Sequence, residues 1–194
     1  MIEVVVARYN ENVNWLNTLD CKKTIYNKGE YSIPDSIVLP NVGRESHTYF
    51  HHIVENYDNL ADWTFFIQAN PFDHVRTMDF IIANFPLTTY YGKINVNNQV
   101  YFFTNGDFKK PLLSNSDGTP THLPYLNLNE LYRMILPGKE IPSEYEFTAG
   151  CMFCASKEAI LKNSKDFYIK CLQISKTRKN APWEFERIMQ YIFK

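Results

Sequence analysis

A chain of 194 residues, 45% apolar and 15% aromatic, can bury a substantial core, which excludes disordered and fibrous classes and predicts a single domain over 1–194. Its 20 Lys and Arg nearly balance 21 Asp and Glu, for a formal charge of -1, so it lacks the broad basic footprint that a nucleic-acid partner requires. Any anion recognised here is small and held locally.

Ile2 to Ala7 is an apolar run that predicts a buried first strand, and Arg8-Tyr9-Asn10-Glu11-Asn12 leads from it into Val13, Trp15, Leu16 and Leu19 at helical spacing. Lys23 to Tyr26 predicts a second strand, closed by a turn at Asn27-Lys28-Gly29. Pro40-Asn41-Val42-Gly43 punctuates the chain before a helix from Arg44 to Tyr57, with Tyr49, Phe50, Ile53, Val54 and Tyr57 on its apolar face. Trp63 to Ile67 is too short for a helix and rich in β-formers, which predicts a central strand, and Met78 to Asn84 predicts the next helix. The alternation implies an α/β fold with a mixed, mostly parallel sheet flanked by helices on both faces, Rossmann-like in its broad layout.

From Tyr90 to Pro142 the pattern degrades into short strand candidates such as Val100 to Thr104 and polar tracts such as Ser114-Asn-Ser-Asp-Gly118, the kind of segment that carries substrate selection. Order returns with a strand over Phe147 to Ala155, a helix from Ser156 through Lys162, a second over Asp166 to Ser175, and a last helix opened by Pro182. The first residues show no signal peptide and no run has the length of a membrane span, so a cytoplasmic setting is expected. The chain stops at Lys194 almost inside the last helix, as a tightly ending protein or as one module of a longer one.

Four cysteines, Cys21, Cys151, Cys154 and Cys171, are too few for a secreted disulfide framework. Cys151-x-x-Cys154 lies in an apolar run and has no second C-x-x-C to complete a tetrahedral site, which favours a buried strand over zinc or redox chemistry.

Polar residues gather where strands end and a helix begins, the places where open α/β sheets bind ligands. Arg8 can meet a phosphate and Tyr9 can stack on a base, against the competing reading of an ordinary polar loop. In Asn41-Val-Gly-Arg-Glu-Ser-His47, free backbone N–H groups and Arg44 can hold a diphosphate, the alternative being a capped helix with a surface Arg44–Glu45 pair. His47 and His51 share a helix face, and His74 with Asp73 would have to approach them to make a zinc site; Thr48 stands where zinc-hydrolase helices carry glutamate. Gln68-Ala-Asn70 ends the central strand with two neutral amides, so a hard cation would depend on Asp73 and His74 for charge. Trp183 offers a ring for a sugar, and Glu184 or Glu186 beside it can serve as general base on an acceptor hydroxyl, although acidic residues also suit a helix start electrostatically.

Val4-Val-Val-Ala-Arg-Tyr-Asn-Glu11, Phe65-Phe-Ile-Gln-Ala-Asn70 and Ala149-Gly-Cys-Met-Phe153 resemble, in order and spacing, the landmarks of GT-A fold glycosyltransferases. Gly43-Arg-Glu-Ser-His-Thr-Tyr49, Gln68-Ala-Asn-Pro-Phe-Asp-His74 and Glu186-Arg187 before Ile192-Phe193 resemble a family of fungal, bacterial and viral domains of unknown function. The first resemblance implies a UDP- or GDP-sugar donor, UDP favoured, gripped by Arg8, Tyr9, Asn10, Arg44, Gln68 and Asn70. It implies transfer to a glycan or protein-linked acceptor lying on Trp183 and Tyr145, with inversion if Glu186 is the base. Mn or Mg is the cofactor it implies, and the usual paired aspartates are here Gln68 and Asn70, which leaves Asp73 and His74 as metal ligands. A large DNA virus, with the enzyme in the host cytoplasm, is a source that the resemblance and the Asn-, Ile-, Lys- and Tyr-heavy composition both suit. Two other functions compete: a nucleotide- or glycan-binding module without turnover, and a zinc hydrolase built on His47, His51 and His74.

Overall fold

The structure, a computed structural model, describes residues 1–85, 94–103 and 125–194. Its sheet grows from strand β1 (Ile2–Arg8), flanked in parallel by β2 (Lys22–Asn27) and, beyond it, β3 (Ser36–Val38). Helix α1 (Arg44–Asn56) crosses back, and β4 (Trp63–Gln68) joins the other side of β1, again in parallel. After α2 (Met78–Ala83), strands β5 (Ile94–Val96) and β6 (Val100–Phe103) form an antiparallel pair. Helix α3 (Leu128–Ile135) then precedes β7 (Met152–Ser156), which inserts antiparallel between β4 and β6. The order is β3-β2-β1-β4-β7-β6-β5, with β1 to β4 and β6 pointing one way and β5 and β7 the other. Helices α4 (Lys157–Leu161), α5 (Lys165–Thr177) and α6 (Ala181–Ile192) complete the chain.

Strand alternation sorts the core into two layers. Val5, Phe66, Phe153 and Ala155 face one side, where α1, α3, α5 and α6 pack, whereas Val4, Val6, Phe65, Ile67 and Cys154 face α2 and the Leu16–Leu19 segment on the other. The expected α/β fold with helices on both faces is therefore observed. Helix α1 lies between the sheet and the α5–α6 pair, so it buries Ser46, His47, Thr48 and His52 as well as the expected Tyr49, Phe50, Ile53 and Val54. Tyr49 packs on Phe66 at 5.3 Å and Phe50 on Phe185 at 4.8 Å.

Several sequence expectations change. The predicted helix over Val13 to Leu19 is only a 3₁₀ turn at Asn14–Thr18. Asn12, Asn14, Asn17 and Thr18 compete for backbone groups, the Asn12 side chain accepts the Asn14 N–H, and the Lys23 ammonium caps the Leu16 and Leu19 carbonyls. Strand β7 begins at Met152 rather than Phe147, because Gly150 and Cys151 take left-handed φ values of 88° and 51° in a turn closed by Cys151 N–H to Thr148 O. Strands β3 and β5 are too short to show a period, whereas α3 carries one, Leu128, Leu131, Tyr132 and Ile135 behind the Asn127 cap, inside the stretch expected to be irregular. Thr104 and the Ser114–Gly118 tract lie outside the described residues. No helix among the described residues is long and apolar enough to cross a membrane.

Candidate functional site

The sheet reverses its winding direction between β1 and β4, so the loops after these strands part and leave a crevice at their carboxyl ends. Helix α1 starts there through an unusual backbone, with Gly43 at φ 62° and Arg44 at φ 45°. Glycine is required at 43, since a Cβ would stand 2.4 Å from the Ser175 carbonyl oxygen of α5. Gly43 offers no side-chain cap and no described side chain replaces one, which leaves the first N–H groups of the helix for solvent or ligand. The Lys28 ammonium, on the loop after β2, clamps the turn by donating to the Val42 carbonyl at 2.7 Å and the Arg44 carbonyl at 2.5 Å. Lys28 is buried, which lowers its pKa from the ordinary lysine value to about 8 against the opposing pull of Glu45.

Two hollows meet at Arg44 and Glu45. The first, of about 300 Å³, is walled by Arg8, Tyr9, Glu11, Lys28 and Asn41. The second, of about 290 Å³, is walled by Gln68, Asp73 and His74 from the β4 side, by Gly150 and Cys151, and by Trp183 and Glu186 from α6. At the ridge between them the Arg44 guanidinium lies 5.6 Å over the Trp183 ring and 3.5 Å from a Glu45 carboxylate oxygen. Glu186 is fixed on both oxygens: Oε1 accepts the Gly150 N–H at 2.8 Å and Oε2 accepts Arg187 Nη1 at 2.9 Å. The Gln68 amide donates to the Gly150 carbonyl at 2.8 Å, so this glycine is held on its N–H by α6 and on its carbonyl by the end of β4. His74 packs against the same glycine, where a Cβ would fall 2.7 Å from its Cδ2.

Beneath this surface sit the Cys151 thiol and the Tyr49 hydroxyl, both pushed to high pKa by burial and by the nearby Glu186 and Glu45 carboxylates. Cys151 is therefore a poor nucleophile. Cys154 faces the opposite core layer, so the C-x-x-C pair neither bridges nor shares a ligand. The buried-strand reading fits Cys154, while Cys151 belongs to the turn before it.

Of the residues that the sequence nominated, Tyr9, Arg44, Gln68, Asp73, His74, Trp183 and Glu186 line the two hollows. Arg8 also lies in the first wall, but its guanidinium serves the loops, donating to the Glu11, Tyr9 and Tyr31 carbonyls and to Asn27 Oδ1. Asn10 accepts the Tyr31 N–H and Asn70 donates to Asp73 Oδ2 at 2.9 Å; neither lines a hollow. Glu184 is a correction: it is buried, accepts the Asn127 N–H and pairs with Arg178, because two residues' separation turns it to the opposite face of α6 from Glu186. Tyr145 is another, buried between Tyr132 and Tyr191 with its hydroxyl on Asn129 Oδ1 at 2.7 Å, out of reach of an acceptor.

His47 and His51 stack at 6.1 Å on α1 while His74 faces Gly150, and among the described residues no three His, Cys, Asp or Glu side chains group to hold a metal ion. The donor set at Gln68, Asn70 and Asp73 does not fit a protein-built Mn or Mg cage, since the two amides offer only neutral oxygens and Asp73, which accepts from Asn70, is the one carboxylate among them. Sequence reasoning missed Lys28 and passed over Glu45. The signal for Lys28 was its place directly after β2, beside the exit of β1.

No curated protein and no solved structure matches the chain. The model of the family described as protein of unknown function (DUF3431) matches residues 4–194, nearly the full length, and the chain belongs to that family.

Proposed function

We propose that the paired hollows bind a nucleotide-diphosphate sugar, UDP-linked by preference, and that the protein transfers the sugar to a hydroxyl of a glycan or protein-linked acceptor. The observation that carries this reading is the ridge at Arg44. A guanidinium and an uncapped helix start sit between an outer hollow with an exposed tyrosine ring and an inner one lined by polar groups. The diphosphate spans the ridge, the nucleoside lies toward Tyr9, and the sugar enters among Asp73, His74 and Glu186.

In this reading the acceptor oxygen attacks the anomeric carbon while its proton passes to Glu186. The bond to the diphosphate breaks on the opposite face, and the configuration inverts. Arg44 and the α1 N–H groups stabilise the charge that develops on the departing nucleoside diphosphate. A divalent ion, where one takes part, would be held mainly by the donor's own phosphates together with Asp73, and no step above depends on it.

A binding module without turnover is the second reading, favoured by the engagement of both Glu186 oxygens. A donor-hydrolysis and transfer assay over UDP-, GDP- and CDP-sugars, with and without manganese, separates the two. Slow release of free sugar supports the enzyme, and nucleotide binding with no release supports the module.

A further inference from the structure

Among the described residues, Lys28 is the one lysine in the wall of either hollow. An ammonium carries three N–H donors. Two of them are spent on the carbonyls of Val42 and Arg44, which bracket Gly43, the first of two consecutive left-handed residues. A non-glycine residue at positive φ is strained, so Arg44 holds its place over Trp183 only while something fixes the backbone on either side. The clamp supplies that fixation, and it does so from inside the outer hollow.

We infer that Lys28 is both a positioning residue and a direct ligand of this site: it locks the Gly43–Arg44 turn with two donors and presents the third to a pyrophosphate oxygen. This rests on the reading of the hollows as a diphosphate site and adds to it a residue and a dependence on pH. Phosphate charge placed on a buried ammonium forms a charge-assisted hydrogen bond, and the site then carries two cations, Lys28 and Arg44, against the two negative charges of a bridging diphosphate. The other charged groups around the ammonium are Arg8 at the end of β1 and Glu11 in the loop after it, Glu45, His47 and His51 from α1, and Lys176 from α5. Glu45 favours the ammonium. Burial lowers the pKa of both His47 and His51, so of these groups the one whose proton is lost between neutral and alkaline pH is Lys28.

The sign follows. With its pKa lowered to about 8, Lys28 is charged at pH 6.5 and largely neutral at pH 9, so anion affinity falls as pH rises through that window. The test is calorimetric titration of the full chain with the symmetric dimethyl diester of pyrophosphate, whose two negative charges do not change over this window, at pH 6.5 and pH 9, on wild type, Lys28→Met and Lys28→Arg, with thermal melts to confirm folding. Wild type should bind about tenfold or more tightly at pH 6.5 than at pH 9. Lys28→Met should bind as weakly at pH 6.5 as wild type does at pH 9, and Lys28→Arg, which keeps its charge, should lose most of the pH dependence. Absence of diester binding to wild type, or equal binding by Lys28→Met and wild type, overturns the inference. Should Lys28→Met fail to fold, a pH dependence retained unchanged in Lys28→Arg overturns it instead. Diester binding that follows Lys28 in a protein without glycosyl transfer would leave this inference standing and remove the transferase reading.

Discussion

Glu184 and Glu186 stand two positions apart on one helix and illustrate how far single residues can be read. Both are acidic, both lie near Pro182, and the sequence offered both as bases. A helix turns about 200° over two residues, so only one can face the crevice. Glu184 instead joins α6 to the start of α3 through the Asn127 N–H and to Arg178 at the end of α5. Removing it takes one of two carboxylates from the half-buried Arg178 guanidinium, which keeps Glu130, and leaves the Asn127 N–H without its acceptor at a fully buried position of α6. Glu184→Ala should therefore lower the unfolding free energy by about 2 kcal/mol, measured by denaturant titration. Glu186→Gln keeps an oxygen for the Gly150 N–H but takes the charge partner from the buried Arg187, so it should cost about 2 kcal/mol of stability, and it should reduce transfer turnover at least about a hundredfold, with donor affinity kept. Turnover lost in Glu184→Ala and kept in Glu186→Gln would exchange their roles. Helical phase was legible here and would have excluded Glu184. The burial of Tyr145 went unread, because it follows from packing against Tyr132 on α3, whose apolar spacing at Leu128, Leu131, Tyr132 and Ile135 stood in the sequence but was taken as part of an irregular segment.

Among the elements, α1 organises the site. Its apolar positions gave its extent to within one residue, since Tyr49, Phe50, Ile53 and Val54 fall at helical spacing. What the spacing did not reveal is that α1 is covered on its second side by α5 and α6, which buries His47 and Thr48 and draws Gly43 against Ser175. That close approach sets the angle at which the helix start meets the hollows. Gly43→Ala forces a Cβ against a backbone carbonyl at a left-handed φ and should cost at least about 2 kcal/mol of stability. It should also weaken nucleotide binding in the molecules that remain folded. A variant that melts with wild type and binds equally would show that the close approach has no mechanical role. The strands at the polar edges, β3 and β5, escaped prediction because each is three residues long, too short to display a period.

At the scale of the whole molecule, the two-layered core and the crevice at the sheet's switch point were legible in the order of apolar runs, whereas the turn before β7 was hidden inside an apolar stretch. The same burial that packs α1 makes the fold sensitive to acid. His47 has no hydrogen-bond partner among the described residues, and burial, with Lys28 and Lys176 nearby, lowers its pKa to about 3. Burial likewise lowers His52 to about 4, although Glu3 opposes it from 3.8 Å. Both take up protons in the unfolded chain near pH 6.5 and not in the folded one, so the unfolded state binds more protons below that pH and stability falls on acidification. Between pH 6.5 and pH 5 the loss should reach about 1.4 kcal/mol per pH unit for each histidine, read from urea midpoints across that range. His47→Leu should remove about half of the slope. A stability that is flat from pH 7 to pH 5 would mean that these rings are protonated or solvated in the native state.

The account depends most on the ridge between the hollows. Titration of UDP into wild type and Arg44→Ala, followed by calorimetry and by the fluorescence of Trp183 beneath the guanidinium, examines it directly. Saturable one-to-one binding in wild type, weakened at least about tenfold in Arg44→Ala while the melting temperature stays the same, is the expected result. Failure of UDP, GDP and CDP alike to bind, or binding indifferent to Arg44, would contradict the assignment of this crevice to a nucleotide diphosphate.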